Sequence, residues 1–264
     1  MMEMSLLFIA AFIAGAMNAV AGGGTLLAFP ALLFMGVPSI IANATCSLAL
    51  WPSSLASALV YRKQIEAPKR SVLLMIVISV IGGWIGARLL LFTSQRVFDE
   101  LVPWLLFFAT VLLTISGRVQ DLAQKSTLHH SHLWTITMVG QFFISIYGGY
   151  FGAGMGVLML ALFSSAMVSP IHSMIGIRSV CGAAIYGMAI LVFVTGNTID
   201  WPRGLVMCVG AILGSYLCAV TMRRTDAKGV KRVMIAVSWL MTFIFIARSH
   251  LAVQFMKRLI PPLH

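Results

Sequence analysis

Acidic residues are almost missing from this sequence: seven Asp and Glu stand against eighteen Lys and Arg in 264 positions. Charge of either sign makes up 9% of the chain. A soluble domain carries about a quarter, so this chain lacks the groups to cover a water-facing surface. Residues 4–61, 126–177, 179–199 and 204–222 hold no Asp, Glu, Lys or Arg at all. A run of about 18 apolar residues can span a bilayer, and these stretches leave room for several. The apolar–polar alternation of a transmembrane strand is also absent. The sequence therefore predicts an all-α polytopic membrane protein.

Other absences narrow the function. No interruption between apolar runs is long enough for a soluble catalytic domain. The four cysteines, Cys46, Cys181, Cys208 and Cys218, lie inside apolar stretches without CxxC spacing, which indicates neither a zinc site nor a disulfide framework. There is no Ser/His/Asp grouping, no HExxH and no GxSxG at a strand-to-helix turn, so an enzyme is not expected. No carboxylate lies in an apolar core, and sodium sites and proton relays often use one. The net charge of +11 comes from short basic loops between apolar runs, a positive-inside pattern rather than a nucleic-acid face. The start carries only Glu3; without a basic leader it reads as a first membrane segment, not a signal peptide.

Ten apolar segments can be marked, at 4–20, 24–36, 39–61, 71–91, 101–117, 133–148, 155–168, 171–195, 204–222 and 233–247. Two are too short to cross the roughly 30 Å of hydrocarbon as straight helices: 24–36 and 155–168. Each follows a glycine cluster and ends near a proline, Pro38 or Pro170. Gly22-Gly23-Gly24 precedes the first; Gly148-Gly149, Gly152, Gly154 and Gly156 surround the start of the second.

The coincidence points to duplication. Ala21 to Leu27 lies 131 positions before Gly152 to Leu158, and Ile65-Glu66-Ala67-Pro68 lies 134 before Ile199-Asp200-Trp201-Pro202. Gly82-x-x-x-Gly86 lies 128 before Gly210-x-x-x-Gly214. We divide the chain into a first transmembrane repeat at 1–117, a cytoplasmic connecting loop at 118–131, a second repeat at 132–248 and a C-terminal tail at 249–264. Placing the basic loops 62–70 and 223–232 inside leaves 196–203 outside. With five segments per half, the repeats are then inverted relative to each other. Inverted repeats with short helices at matching places mark secondary transporters.

Irregular backbone at membrane depth is tolerated where it lines a cavity or is buried in protein. A helix starting after a glycine turn aims its positive dipole end at the tip, which favours an anion. Candidate substrate residues are therefore Gly22, Gly23 and Gly24 in the first turn and Gly152, Gly154 and Gly156 in the second. Asn18 and Thr25 flank the first turn, and Asn43, Thr45 and Ser47 follow on the next segment; interhelical hydrogen bonding is the competing role for these. Gly82/Gly86 and Gly210/Gly214 read instead as close-packing positions. Arg178 sits eight residues into segment 171–195 with no acid nearby in sequence. An intramembrane arginine faces a cavity or a partner, and an anionic ligand fits that need; snorkelling is the alternative. Arg88, near a segment end, reads as snorkelling, and His172 as a helix-start packing residue.

The stretch Ala14-Gly15-x-x-Asn18-Ala19-Val20-Ala21-Gly22-Gly23-Gly24-Thr25-Leu26-Leu27-x-Phe29-Pro30, with Gly36-Val37-Pro38 and Ala42-Asn43-Ala44-Thr45, resembles the sulfite exporter TauE/SafE family, also called the TSUP transporters. Gly148 to Gly156 looks like the glycine motif of that family's second repeat. Met155 stands where the first repeat has Gly24, and no proline matches Pro30. The resemblance implies a multi-pass transporter of the bacterial inner membrane for sulfite, sulfonates or related sulfur-containing or organic anions. Together the two readings predict a secondary transporter, in the exporting direction, working by alternating access around a midplane site at two helix N-termini. An anion channel, or a membrane-embedded subunit that binds a soluble partner, are the alternatives. The expected partners are a small anionic substrate and the lipid bilayer, with homodimerisation left open; no nucleic acid, cofactor or metal is expected.

Overall fold

The computed structural model describes residues 2–124, 130–166, 170–221 and 227–248. These form ten α-helices and no strand: α1 (Met2–Ala21), α2 (Thr25–Phe34), α3 (Ser39–Tyr61), α4 (Lys69–Phe92), α5 (Gln95–Gln124), α6 (His130–Tyr150), α7 (Met155–Ala166), α8 (Ile171–Thr195), α9 (Trp201–Thr221) and α10 (Ala227–Arg248). Each apolar segment read from the sequence falls on one of them. Among the described residues α1, α4, α5, α8 and α9 are long and apolar enough to cross a membrane. The short helices α2 and α7 have 10 and 12 residues, about 15 and 18 Å of rise. Helix α5 continues to Gln124 and α6 starts at His130, so helix extends into the polar stretch 118–131 from both sides. The tail 249–264, with Lys257 and Arg258, lies outside the described residues.

Prolines set where several helices begin. Pro38, Pro68 and Pro170 occupy the position just before α3, α4 and α8, with φ near −55° and ψ of 144°, 133° and 146°. Such a residue fixes the entry angle and forfeits an N–H that the helix start would leave unpaired anyway. Helix α2 stops at a Schellman turn: Val37 N–H reaches Leu32 O at 3.2 Å and Gly36 N–H reaches Leu33 O at 3.0 Å.

The helices bury small and polar residues beside a core of aromatic and aliphatic ones such as Phe29, Phe151 and Phe193, and turn many other large apolar residues outward. Phe92, Trp104, Phe143, Leu191 and Phe243 are exposed, whereas Ser53, Ser57, Ser79, Thr110, Gln141 and Ser215 are buried. Lipid removes the hydrophobic force between helices, leaving close packing and interhelical hydrogen bonds to hold them. Both are present. Ser57 and Ser215 hydroxyls lie 2.9 Å apart, Thr110 and Thr242 also 2.9 Å, and Gln141 Nε2 donates to Ser79 Oγ at 2.9 Å. A Cβ at Gly86 would run into the Ile146 carbonyl, and one at Gly214 into the Phe12 carbonyl. The two GxxxG pairs are thus packing positions, as read from the sequence.

Helices α3 and α8 form the centre. Two-thirds of the apolar stretch of α8 is buried, against 33–39% for the other four long spans. The two run antiparallel, Trp51 meeting Gly187, Ser54 near Gly182 and Tyr61 against Gly176. Helix α9 runs parallel to α3, with Thr45 at Gly204, Leu48 at Cys208 and Ser53 at Ser215. Helix α1 runs parallel to α9, with Phe8 at Gly210 and Phe12 at Gly214. On the other side α4 runs parallel to α8, with Gly83 at Ile185 and Leu91 at Gly196, and α6 runs parallel to α4, with Ser145 at Gly82 and Tyr150 at Gly86. So α1, α3 and α9 point one way and α4, α6 and α8 the other. Since α1 and α3 point the same way, α2 carries the chain back between them; α7 does the same between α6 and α8.

Candidate functional site

The site is built where α1 and α6 end. At each end the chain turns through a glycine in the left-handed region, Gly22 at φ +73° and Gly152 at φ +77°, a conformation that disfavours any side chain. The first turn meets the helix that follows the second: a Cβ on Gly22 would lie 2.5 Å from Gly156 Cα, at the start of α7, while Gly152 itself packs beside Tyr186. A cavity lies at this junction, lined by Asn18, Gly22, Ser54, Gly156, Arg178 and Ser179 together with Gly182, Met155 and Met159. All of these residues are buried. Its free space, about 10 Å³ for the centre of a water molecule, is one water's worth.

Arg178 is 4% exposed. Its Nη2 donates to Asn18 O and Ala19 O, each at 3.0 Å. These carbonyls belong to the last turn of α1, where the negative end of the dipole favours a cation; Asn18 O also accepts from Gly22 N–H at 3.0 Å. The sequence pointed to an anionic ligand as the arginine's partner; the structure supplies a backbone partner first. It leaves Nε and Nη1 buried with no protein partner, and Nη1 faces Gly22, where a Cβ would come within 2.5 Å.

The remaining candidates divide. Asn18 donates through Nδ2 to Ser53 Oγ and Ser54 Oγ at 3.1 Å each, and its side chain lines the cavity. Gly23 and Gly24 accept from Leu26 and Leu27 N–H at 3.1 Å; Gly154, at φ +74°, packs on Ala109 and accepts from Val157 N–H at 3.0 Å. First-turn N–H groups of α2 and α7 thus bond back on themselves. The tips offer close approach and dipole more than a row of open donors. Thr25 Oγ1 lies 3.3 Å from the Tyr186 hydroxyl. Asn43 Nδ2 donates to Tyr150 O at 2.9 Å, tying the last turn of α6 as Arg178 ties that of α1, and its Oδ1 is buried without a partner. Ser47 donates to Asn43 O within its own helix. Thr45 is not in the cavity; its hydroxyl accepts from Asp200 N–H at 3.0 Å, beside the start of α9.

Ser54, Ser179, Tyr186 and Met159 are not among the sequence-based candidates, and Met155 enters there only as the residue that replaces the repeat's Gly24. A helical stripe was the available signal: Arg178, Gly182 and Tyr186 follow at four-residue steps on α8. Arg88 is exposed with its guanidinium 5.7 Å from the Trp84 ring centre. His172 stacks on Tyr61 with ring centres 5.9 Å apart. Neither touches the cavity.

The family description "Sulfite exporter TauE/SafE" matches residues 7–245. A "Probable membrane transporter protein" of Haemophilus influenzae is 25% identical over 239 residues, covering 90% of this chain and 92% of the relative. The "Probable membrane transporter protein ORF9" of a Sinorhizobium species is 28% identical over 241 residues, covering 89% of each. The Escherichia coli K12 "Probable membrane transporter protein YfcA" is 22% identical over 247 residues, covering 94% and 91%. No solved structure matches the chain. A helical, multi-pass bacterial membrane protein matched over nearly its whole length, the chain belongs to the sulfite exporter TauE/SafE family and is a membrane transporter rather than an enzyme.

Proposed function

We propose that the protein exports a small oxyanion of the sulfite or sulfonate kind by alternating access between two oppositely oriented halves, with the junction of the glycine turns as its binding site. The observation that carries this reading is the buried Arg178 guanidinium, with Nε and Nη1 unpartnered beside Gly22 and the cavity. A buried charge is costly unless it is fully hydrogen-bonded, and two carbonyls satisfy only Nη2. An oxyanion would complete the set with charge-assisted bonds. Both bidentate edges of a guanidinium include Nη2, so the anion takes single contacts from Nη1 or Nε while Nη2 holds α1. One water's worth of space is too little for sulfite; the two tips must part to admit it.

The opposed directions of α1, α3 and α9 against α6, α8 and α4 support the inverted-repeat half of the proposal, since each pair lies at matching places in the two halves. So do the matched glycine crossings on α4–α6 and α1–α9. The test is substrate affinity of purified Arg178→Gln, by calorimetry and by uptake into proteoliposomes with sulfite, thiosulfate, sulfoacetate, taurine and lactate. Losing a hydrogen bond to a charged group costs about 1.5–3 kcal/mol, so affinity for the preferred anion drops roughly 10-fold to 150-fold. Parent-like affinity in a folded variant sinks the reading.

A further inference from the structure

One repeated motif plays no part in the anion site. Ile65-Glu66-Ala67-Pro68 and Ile199-Asp200-Trp201-Pro202 lie where the chain leaves the two central helices, the second running into the start of α9. In both, the backbone N–H of the acidic residue donates to a buried hydroxyl of the opposite central helix. Glu66 N–H reaches Ser173 Oγ of α8 at 3.1 Å, and Asp200 N–H reaches Thr45 Oγ1 of α3 at 3.0 Å. Ser173 and Thr45 are both 0% exposed. Because α3 and α8 are antiparallel, the two bonds lie at opposite ends of the molecule. We propose that they are paired clasps, one at each mouth of the transport path, and that opening one or the other decides which face the Arg178 cavity meets.

The proposal rests on the transporter reading above. Each clasp joins the two halves, since a loop of one half is held by a hydroxyl of the other. Around each bond the same kind of close fit is built. At the first, Gly176 admits Ile65 and the Tyr61 carbonyl, and Tyr61 stacks on His172. At the second, Gly204 admits Leu48 and Thr45, and Arg203 pairs with Asp200 at 2.6 Å. With both clasps made, all residues lining the cavity are buried, as an occluded state requires. Rocking of one half against the other cannot open a mouth without parting the clasp there. One hydrogen bond is a suitable size for such a contact: its loss shifts a two-state balance roughly threefold to tenfold, enough to bias a mouth without unfolding the protein.

The test reads access and contains no substrate, so it stands or falls separately from the anion site. A single cysteine is placed in the cavity by Ser179→Cys after replacement of the four native cysteines. Its modification by a membrane-impermeant thiol reagent is timed in right-side-out and inside-out vesicles. Ser173→Ala should speed modification roughly threefold to tenfold from the face bearing the 62–68 loop. Thr45→Val, close to isosteric, should do so from the opposite face. Ser173→Thr and Thr45→Ser keep the acceptor oxygen and should hold the parent ratio. The proposal is overturned if both clasp-breaking variants favour the same face, if either speeds labelling equally from both, or if neither changes the ratio.

Discussion

Replacing Gly22 by alanine separates the demands of the turn from those of the site. A left-handed φ costs an L-residue roughly 1–2 kcal/mol, and that part is shared by Gly36→Ala, since Gly36 has φ +76°. The surroundings differ completely. A Cβ at Gly36 meets nothing within 4 Å, whereas one at Gly22 lands 2.5 Å from both Arg178 Nη1 and Gly156 Cα. Either neighbour must retreat by about 1 Å to reach ordinary van der Waals contact. Gly156 is backbone, and the guanidinium is tied through Nη2 to two carbonyls at 3.0 Å. The methyl therefore occupies the space that Nη1 needs to meet an oxyanion. With one charge-assisted bond lost, about 1.5–3 kcal/mol, Gly22→Ala should bind its anion roughly 10-fold to 150-fold more weakly. Gly36→Ala should keep parent affinity and lose only the turn's share of stability. Calorimetric titration with sulfite and thermal unfolding, both on detergent-purified protein, measure the two effects. If both variants bind like the parent, Nη1 does not meet the substrate and the reasoning fails.

Other expectations test neighbouring steps. Arg178→Lys should recover only part of the affinity lost in Arg178→Gln, because one ammonium nitrogen cannot stand both where Nη2 meets the Asn18 and Ala19 carbonyls and where Nη1 faces Gly22; full recovery in the same titration would count against the geometry. Single cysteines from Lys63→Cys and Thr195→Cys should label from opposite sides of intact vesicles, and same-side labelling would remove the opposed orientation of the halves. Gly86→Val forces the α4 and α6 backbones apart at the Ile146 carbonyl and should destabilise by at least the ~1–3 kcal/mol typical of overpacking, read as earlier thermal aggregation than the parent. Ser57→Ala breaks the 2.9 Å bond to Ser215 and should cost only about 0.5–1.5 kcal/mol with transport retained; abolished transport in a folded variant would give Ser57 a role not seen in its contacts.

The order and type of the helices were legible because they are written in what the chain lacks. Four charge-free stretches, the first broken by Pro38 and the second by Pro170, mark helices without any knowledge of their neighbours, and Pro68 closes the basic loop before the next helix. The glycine turns were legible for a similar reason: a cluster of glycines before a short apolar run has few uses other than a turn at depth. Contacts made through the backbone were not legible. Asn43 and Ser47 stand one helical turn apart, but Thr45, two residues from each, lies on another face of α3, and its hydroxyl turns to the Asp200 N–H, a group that every residue but proline possesses. Nothing in the side-chain sequence distinguishes that N–H from any other.

Arg178 shows the same limit with a larger consequence. Counting acids in the sequence makes the arginine look wholly unpaired, and the inference to an anion follows too directly. The last turn of α1 is itself a partner, because carbonyls at the negative end of a helix attract a cation even where, as at Asn18 O, the chain also supplies a donor, the Gly22 N–H. What the structure retains from the sequence argument is smaller and more specific: Nη2 is occupied, and Nε and Nη1 are not. An anion at Nη1 therefore draws on a group that already fastens α8, in the second half, to α1, in the first. Under the proposed function, binding and the relation between the halves would meet in a single guanidinium, and a ligand that pulled it from the α1 carbonyls would also loosen the contact across which the halves are proposed to move.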